Sequence, residues 1–202
     1  MAKRFFREEV DRFHDYGLYI PQRTIYVGSG SYTEEGDESG TDGQLADRTI
    51  KNLSILDNIA DTPITIIMNN PGGENTHGMA IYDAIKGCRS EVTINVLGMA
   101  MSMGSVILQS ADRRLLSPNS RIMIHYGYFG MNEHAKTVYK WMEESKKSDH
   151  WMEELYLSKI REKHPTFPMA KVKRMCEFDT ILNPHEAVSL GLADAILGEE
   201  NG

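Results

Sequence analysis

VTINVLGMAMSMGSVILQSA, residues 92–111, changes its pattern halfway along. The first part, VTINV, alternates and is β-branched, which suits a strand. The last part, GSVILQSA, is compact and apolar, as a short helix packed into a core would be. Ser102 sits at the handover, with Gly98, Ala100 and Gly104 leaving room around it. A serine at a strand-to-helix turn either caps the helix or stands out as a nucleophile. Ala-x-Ser-x-Gly is half of the hydrolase elbow Gly-x-Ser-x-Gly, so the local pattern leaves both uses open.

The same alternation runs outward from this stretch. RTIYVGS (23–29) and PITIIMN (63–69) read as strands, the second apolar enough to be buried on both faces. LADRTIKNLSILDNIAD (45–61) places Leu45, Ile50, Leu53, Leu56 and Ile59 at helical spacing, and HGMAIYDAIKGC (77–88) is the next helix. After the helix that begins near Ser102 comes the strand RIMIHY (121–126). Strands alternating with helices predict an α/β fold of βαβ crossovers.

Residues 1–22 form a loosely amphipathic N-terminal segment closed by Pro21, and residues 23–202 one domain. Residues 28–44 are rich in Gly, Ser and acid with few apolar anchors, which predicts an exposed loop. The charged stretch 132–164 lacks Gly and Pro and predicts one or two long helices, with Val138, Trp141, Leu155 and Ile160 on the buried side. A helix that long on so small a domain projects or packs on another subunit. NPHEAVSLGLADAIL (183–197) adds a proline-started helix, a glycine turn and a last strand.

Composition narrows the partners. With 41% hydrophobic and 25% charged residues the chain is an ordinary globular protein, and its net charge of −7 argues against nucleic acid or an anionic membrane surface. No apolar run reaches the length of a membrane span, and MAKRFFREEVDRFHDYG lacks the apolar core of a signal peptide. Cys88 and Cys176 have no metal-ligand spacing, which fits a reducing compartment such as the cytoplasm.

Two turns carry the chemistry. Gly72 and Gly73 follow one strand and offer backbone N–H groups that no side chain shields. Met103 follows Ser102 with an N–H of its own, and in open α/β sheets sites gather at the carboxyl ends of strands. If the two turns meet at that edge, one offers a nucleophile and both offer oxyanion donors, although Pro-Gly-Gly taken alone reads more simply as a plain turn. Among seven histidines, His125 ends the strand RIMIH at the edge where Ser102 should lie, and is the best candidate for a base. His77, after the Gly-Gly turn, is second. His14, His134, His150, His164 and His185 fall in polar or terminal stretches. The orienting acid cannot be chosen by pattern among so many carboxylates.

At this point the residues resemble the ClpP-type serine peptidases, the proteolytic subunits of the Clp protease. NNPGGENTHGMAIYDAI resembles that family's Pro-Gly-Gly stretch with its following Ile-Tyr-Asp, and GMAMSMGSVILQSA its nucleophile segment. SPNSRIMIH resembles its Pro-Asn-Ser-Arg-x-Met-x-His segment, and DTILNPHEAVSLGLADAIL its C-terminal segment. The resemblance implies Ser102 as nucleophile, His125 as general base and Asp179 as orienting acid, with the N–H groups of Gly73 and Met103 as oxyanion hole. It implies a crotonase-like fold of repeated ββα units with a long handle helix, here 132–164. It further implies self-association into stacked heptameric rings enclosing the sites, and peptide or unfolded-protein substrates. No cofactor is implied in this subunit; ATP is used only by a partner Clp-type ATPase.

Departures from that pattern are local. The connection between Val27 and Asp47 is longer than usual, Tyr126-Gly127-Tyr128-Phe129-Gly130 replaces Gln-Pro and its following strand, and Glu74 and Asn75 put polarity near the cleft. The wall of the ATPase-docking pocket reads Thr65, Ile67, Gly87 and Asn95, which implies altered docking. Three alternatives stand beside the peptidase: an inactive regulatory ring subunit, a crotonase-fold acyl-CoA enzyme, and a signal-peptide-peptidase-like enzyme. The last uses a Ser–Lys pair at a membrane, which His125 and the missing span count against.

Overall fold

A computed structural model of the chain describes residues 2–30, 39–128 and 130–199. Helix α1 (Ala2–Tyr16) leads into strands β1 (Leu18–Tyr19) and β2 (Thr24–Val27). Then α2 (Gly43–Ile59), β3 (Ile64–Asn70), α3 (Asn75–Lys86), β4 (Val92–Met101) and α4 (Met103–Leu108) alternate. Strands β5 (Arg113–Leu116) and β6 (Arg121–Ile124) follow, then helices α5 (Ala135–Lys163) and α6 (Met169–Cys176). The chain closes with β7 (Thr180–Leu182), α7 (Pro184–Leu190) and β8 (Ala195–Ile196). This is the mixed α/β architecture that the alternation of strands and helices predicts.

One sheet organises the domain, in the order β1-β2-β3-β4-β5-β8, parallel from β2 onward. The ten-residue β4 serves two neighbours in turn: Thr93–Val96 pair with β5, and Met99–Met101 pair with β6. A register shift makes this possible, since Met68 lies opposite Val96 but Asn70 opposite Ala100. The extra residues on β4 form a bulge that turns the strand's end away from β5 and toward β6. Ser102 therefore leaves the sheet beside β6, where His125 also ends.

The core lies between this sheet and its helices. Ile64, Ile66 and Met68 of β3 and Val92, Ile94 and Val96 of β4 are fully buried, packed with Leu45, Leu53, Leu56, Ile81, Ile107 and Leu108. Asp42 accepts from Leu45 N at 2.8 Å and caps α2, which fixes where that helix starts. α7 begins with a full capping box between Asn183 and Glu186 and ends at Gly191 in the left-handed region, φ 95°.

Several expectations need correcting. β3 is buried on one face only: Thr65, Ile67 and Asn69 between its core residues are half-buried. The stretch 28–44 is not an exposed loop throughout; Gly40 and Thr41 are buried, and residues 31–38 lie outside the described residues. The 132–164 segment is a single helix, α5, whose first half faces solvent in the single chain: Trp141 is 53% exposed. Val138 and Leu155 are half-buried, while Ile160 is fully buried. β5, α6 and β7 add to the elements that the sequence pattern predicts. β5 carries two arginines, and its place is fixed from far along the chain: buried Arg114 forms a forked pair with Asp194, at 2.6 Å and 3.2 Å.

Candidate active site

Ser102 stands between β4 and α4 at φ 51°, ψ −122°, a conformation a side chain adopts only under constraint. The constraint is visible on both sides of the residue. Its N–H donates to Met123 O at 2.9 Å, and its carbonyl accepts from Ser105 N at 2.9 Å and Ser105 Oγ at 2.7 Å. Buried Tyr156 of α5 bonds that Ser105 hydroxyl at 2.7 Å, tying the turn to the domain's long helix. Ser102 occupies the cap position of α4 but its hydroxyl makes no capping bond. The hydroxyl lies instead 2.8 Å from His125 Nε2.

Strand pairing brings the acid to the histidine. β6 and β7 are antiparallel with Ile124 opposite Thr180, so the next pair outward is His125 opposite Asp179. His125 Nδ1 and Asp179 Oδ1 are 2.8 Å apart. With its proton on Nδ1, His125 donates to the carboxylate and presents Nε2 to the Ser102 O–H. The imidazole is 14% exposed, while the Asp179 side chain is 63% exposed in the single chain. Tyr128 meets the imidazole edge to face, with ring centres 6.4 Å apart.

The Pro-Gly-Gly turn lies against the serine turn. Gly72 is at φ 102°, and a Cβ there would stand 2.6 Å from Ser102 Cβ and 3.2 Å from Met103 N. Gly73 is at φ 141°, and a Cβ there would press within 2.5 Å of Thr41 N and O. Only glycine fits either place. Thr41 holds this loop as an added strand would: its N–H donates to Gly72 O at 2.5 Å and its carbonyl accepts from Glu74 N at 2.8 Å. Fully buried Asn70 accepts from Gly72 N at 2.9 Å and donates to Gly28 O at 2.6 Å. The N–H groups of Gly73 and Met103 have no partner among the described residues, so both remain available to an anionic oxygen.

Sequence reasoning missed Thr41 and Asn70. Thr41 sits in a Gly- and acid-rich stretch with no periodicity, so nothing local could have marked it. The asparagine pair before Pro71 was a usable signal, since Asn side chains bond their own backbone two residues on. His77 is not at the serine; it lies 3.5 Å from Glu74. His134 caps α5, His164 bonds Ser189 O at 2.8 Å, and His150 faces Glu153 and Glu154.

Beside the serine is a cavity of roughly 330 Å³ with an apolar wall of Met79, Met103, Val106, Trp151 and Met152. An open cleft of roughly 560 Å³ adjoins it along Pro71, Gly73, Glu74 and Tyr128. Ser102 and His125 line both. Behind them Tyr126 donates to Glu153 in a short hydrogen bond, and burial pushes the Tyr126 hydroxyl's pKa well up. Burial likewise pushes the Cys176 thiol up to about 12, so it is inert as a nucleophile. Among the described residues no group of three or more His, Cys, Asp or Glu side chains could hold a metal, and no helix is long and apolar enough to cross a membrane.

A hydroxyl on a strained strand-to-helix elbow, facing an imidazole across a parallel sheet of this topology, defines a hydrolase of the serine type. Comparison with known proteins gives the family. Residues 38–200 match the Clp protease family. The chain is 32% identical over 193 residues to the ATP-dependent Clp protease proteolytic subunit of Deinococcus radiodurans, covering 94% of this chain and 87% of that protein. It is 31% identical over 195 residues to the chloroplastic proteolytic subunit 3 of Arabidopsis thaliana, covering 95% of this chain and 57% of that longer protein. The chain belongs to the Clp protease family and is a serine-type endopeptidase, at modest identity to these relatives.

Proposed function

We propose that the chain cleaves peptide bonds with Ser102 as nucleophile, His125 as general base and Asp179 as the acid that orients it. The observation that carries this reading is the unbroken Ser102–His125–Asp179 chain of contacts, each 2.8 Å long, with the serine hydroxyl spared from capping. Ser102 Oγ attacks the scissile carbonyl while His125 Nε2 takes its proton, and Asp179 stabilises the imidazolium that forms. The carbonyl oxygen, now an oxyanion, receives the free N–H groups of Gly73 and Met103. His125 returns the proton to the leaving amine, and water then repeats the sequence on the acyl-enzyme. The step uses no cofactor and no metal in this subunit.

The working particle, on this reading, is a pair of stacked heptameric rings that encloses the sites in the cytoplasm. α5 supports the ring contact: Tyr139, Trp141 and Met142 are 66%, 53% and 41% exposed on its outer half, an apolar surface that the single chain leaves uncovered. A Clp-type ATPase feeds unfolded protein to the chamber through an altered docking face. Ile67 and Asn95 lie side by side across β3 and β4, half-buried, with exposed Tyr26 on the far side of Ile67. Thr65 and Gly87 add no large apolar surface.

The test is covalent. A fluorophosphonate should label wild type at Ser102 and nowhere else, and should fail on Ser102→Ala. Absence of labelling in an assembled wild-type particle would leave an inactive ring subunit, and with it the end of this proposal.

A further inference from the structure

The proposed peptidase leaves one charged group in the cleft without a task. Asp149, on α5, lines both the apolar cavity and the open cleft, together with Ser102 and His125. It is half-buried, and among the described residues it makes no hydrogen bond and no ion pair. Its charged neighbours are already committed. Glu144 and Lys147, at the same cavity, neutralise each other at 2.6 Å. Glu153 is held by Tyr126, His150 and Lys173.

A carboxylate drawn out of water without a partner is costly. Burial, and after it the negative charge of Glu153, hold the Asp149 carboxyl above the usual carboxylate range. A cation delivered to Asp149 would relieve both effects. The walls beside it say what the cation should be attached to, because Met79, Met103, Val106, Trp151 and Met152 offer only apolar surface. A flexible hydrocarbon stem with a charged tip matches that combination: lysine, or arginine. An aliphatic side chain would fill the cavity but cover the carboxylate unpaired. A glutamate would add repulsion to burial.

The geometry, resting on the peptidase reading above, points to Asp149 as a specificity-determining residue that selects a lysine or arginine on the acyl side of the cleaved bond. The acyl side follows from Met103. Its N–H is the candidate oxyanion donor for that residue's carbonyl, and its side chain opens the apolar wall into which the same residue's side chain would pass.

The test uses peptidyl diphenyl phosphonates, which phosphonylate an active serine and carry a chosen side chain at the acyl position. The rate of Ser102 modification is read by intact mass on the assembled full chain, with lysine, leucine and glutamate probes. Wild type should react at least about tenfold faster with the lysine probe than with leucine, the size of one partly screened charge pair. Asp149→Asn should bring that ratio to about one, and Asp149→Lys should favour the glutamate probe. A wild-type ratio at or below one overturns the inference without recourse to any variant, as does an Asp149→Asn ratio equal to wild type. If a simple fluorophosphonate still labels Ser102 in either case, the peptidase reading survives alone. No labelling by any probe removes both.

Discussion

Asp179→Asn and Asp179→Ala should not be equivalent, and their order tests how the proposed relay works. His125 and Asp179 touch at 2.8 Å, which puts the charge centres of an imidazolium and a carboxylate about 4 Å apart. Their attraction at that range is about 1 kcal/mol in water and about 4 kcal/mol at the effective dielectric of a protein surface. With 63% of the Asp179 side chain exposed, a value near the lower part of that range applies, about 2 kcal/mol or 30-fold in rate. Asp179→Ala should therefore slow Ser102 by about 30-fold, because water reaches Nδ1 and keeps the tautomer correct. Asp179→Asn loses the same attraction and adds a fault. Its amide N–H donates to Nδ1, which puts the proton on Nε2 and leaves the serine without a base. The loss should be at least about tenfold greater than for alanine, yet smaller than the roughly 10⁴-fold seen where the acid is buried. The assay is the second-order rate of fluorophosphonate labelling at Ser102, with oligomeric state matched by light scattering. An asparagine variant faster than alanine would refute the argument, because it would mean that the amide turns its oxygen to Nδ1 and keeps the productive tautomer.

Ser102→Ala should lower peptide hydrolysis by about 10⁴-fold or more with assembly intact in light scattering, since the groups act as a unit. Gly72→Ala should cost at least about a hundredfold in turnover, because its Cβ would stand 2.6 Å from Ser102 Cβ at a φ of 102°; parallel thermal melts should show the fold retained. Asp194→Ala should destabilise the chain by about 2–3 kcal/mol in urea titrations, leaving the Arg114 guanidinium buried with fewer partners. Although burial alone would raise the Asp194 carboxyl, its hydrogen bonds to Arg114 hold it below the usual carboxylate range. That stability is therefore complete above the ordinary carboxylate pKa of about 4 and is lost as pH falls through the lower folded value. Wild type should lose stability there while the alanine variant should show a shallower acid slope. Trp141→Glu should shift the particle toward single rings or smaller species in light scattering, because the indole is exposed in the single chain; an unchanged particle would place the ring contact elsewhere.

The elements legible in the sequence are those whose burial follows local periodicity. β3, α3 and β4 place apolar residues where their own geometry needs them, and the serine turn and His125 could be placed at one sheet edge by chain order alone. Asp179 could not be selected from pattern, because its place depends on the β6–β7 register, and β7 has only three residues. β5 was hidden by its arginines: the partner that makes Arg114 tolerable in a core lies 80 residues along the chain. α6 has only eight residues and follows HPTFP, so its periodicity is too short to stand out beyond the prolines. Trp141 is exposed in the single chain, so the burial expected of it depends on a contact with another subunit, which local periodicity does not specify.

The bonding between Thr41 and the glycine loop makes the connection ahead of α2 a mechanical part of the wall proposed to hold the oxyanion. Two main-chain hydrogen bonds join Thr41 to the peptide units on either side of Gly73. Whatever displaces Thr41, whether a grafted tag, a tethered cargo or a pulling force, is transmitted directly to the Gly73 N–H, the proposed oxyanion donor. Linkage makes the path run both ways: a transition-state analogue that stiffens the glycine loop must also stiffen Thr41.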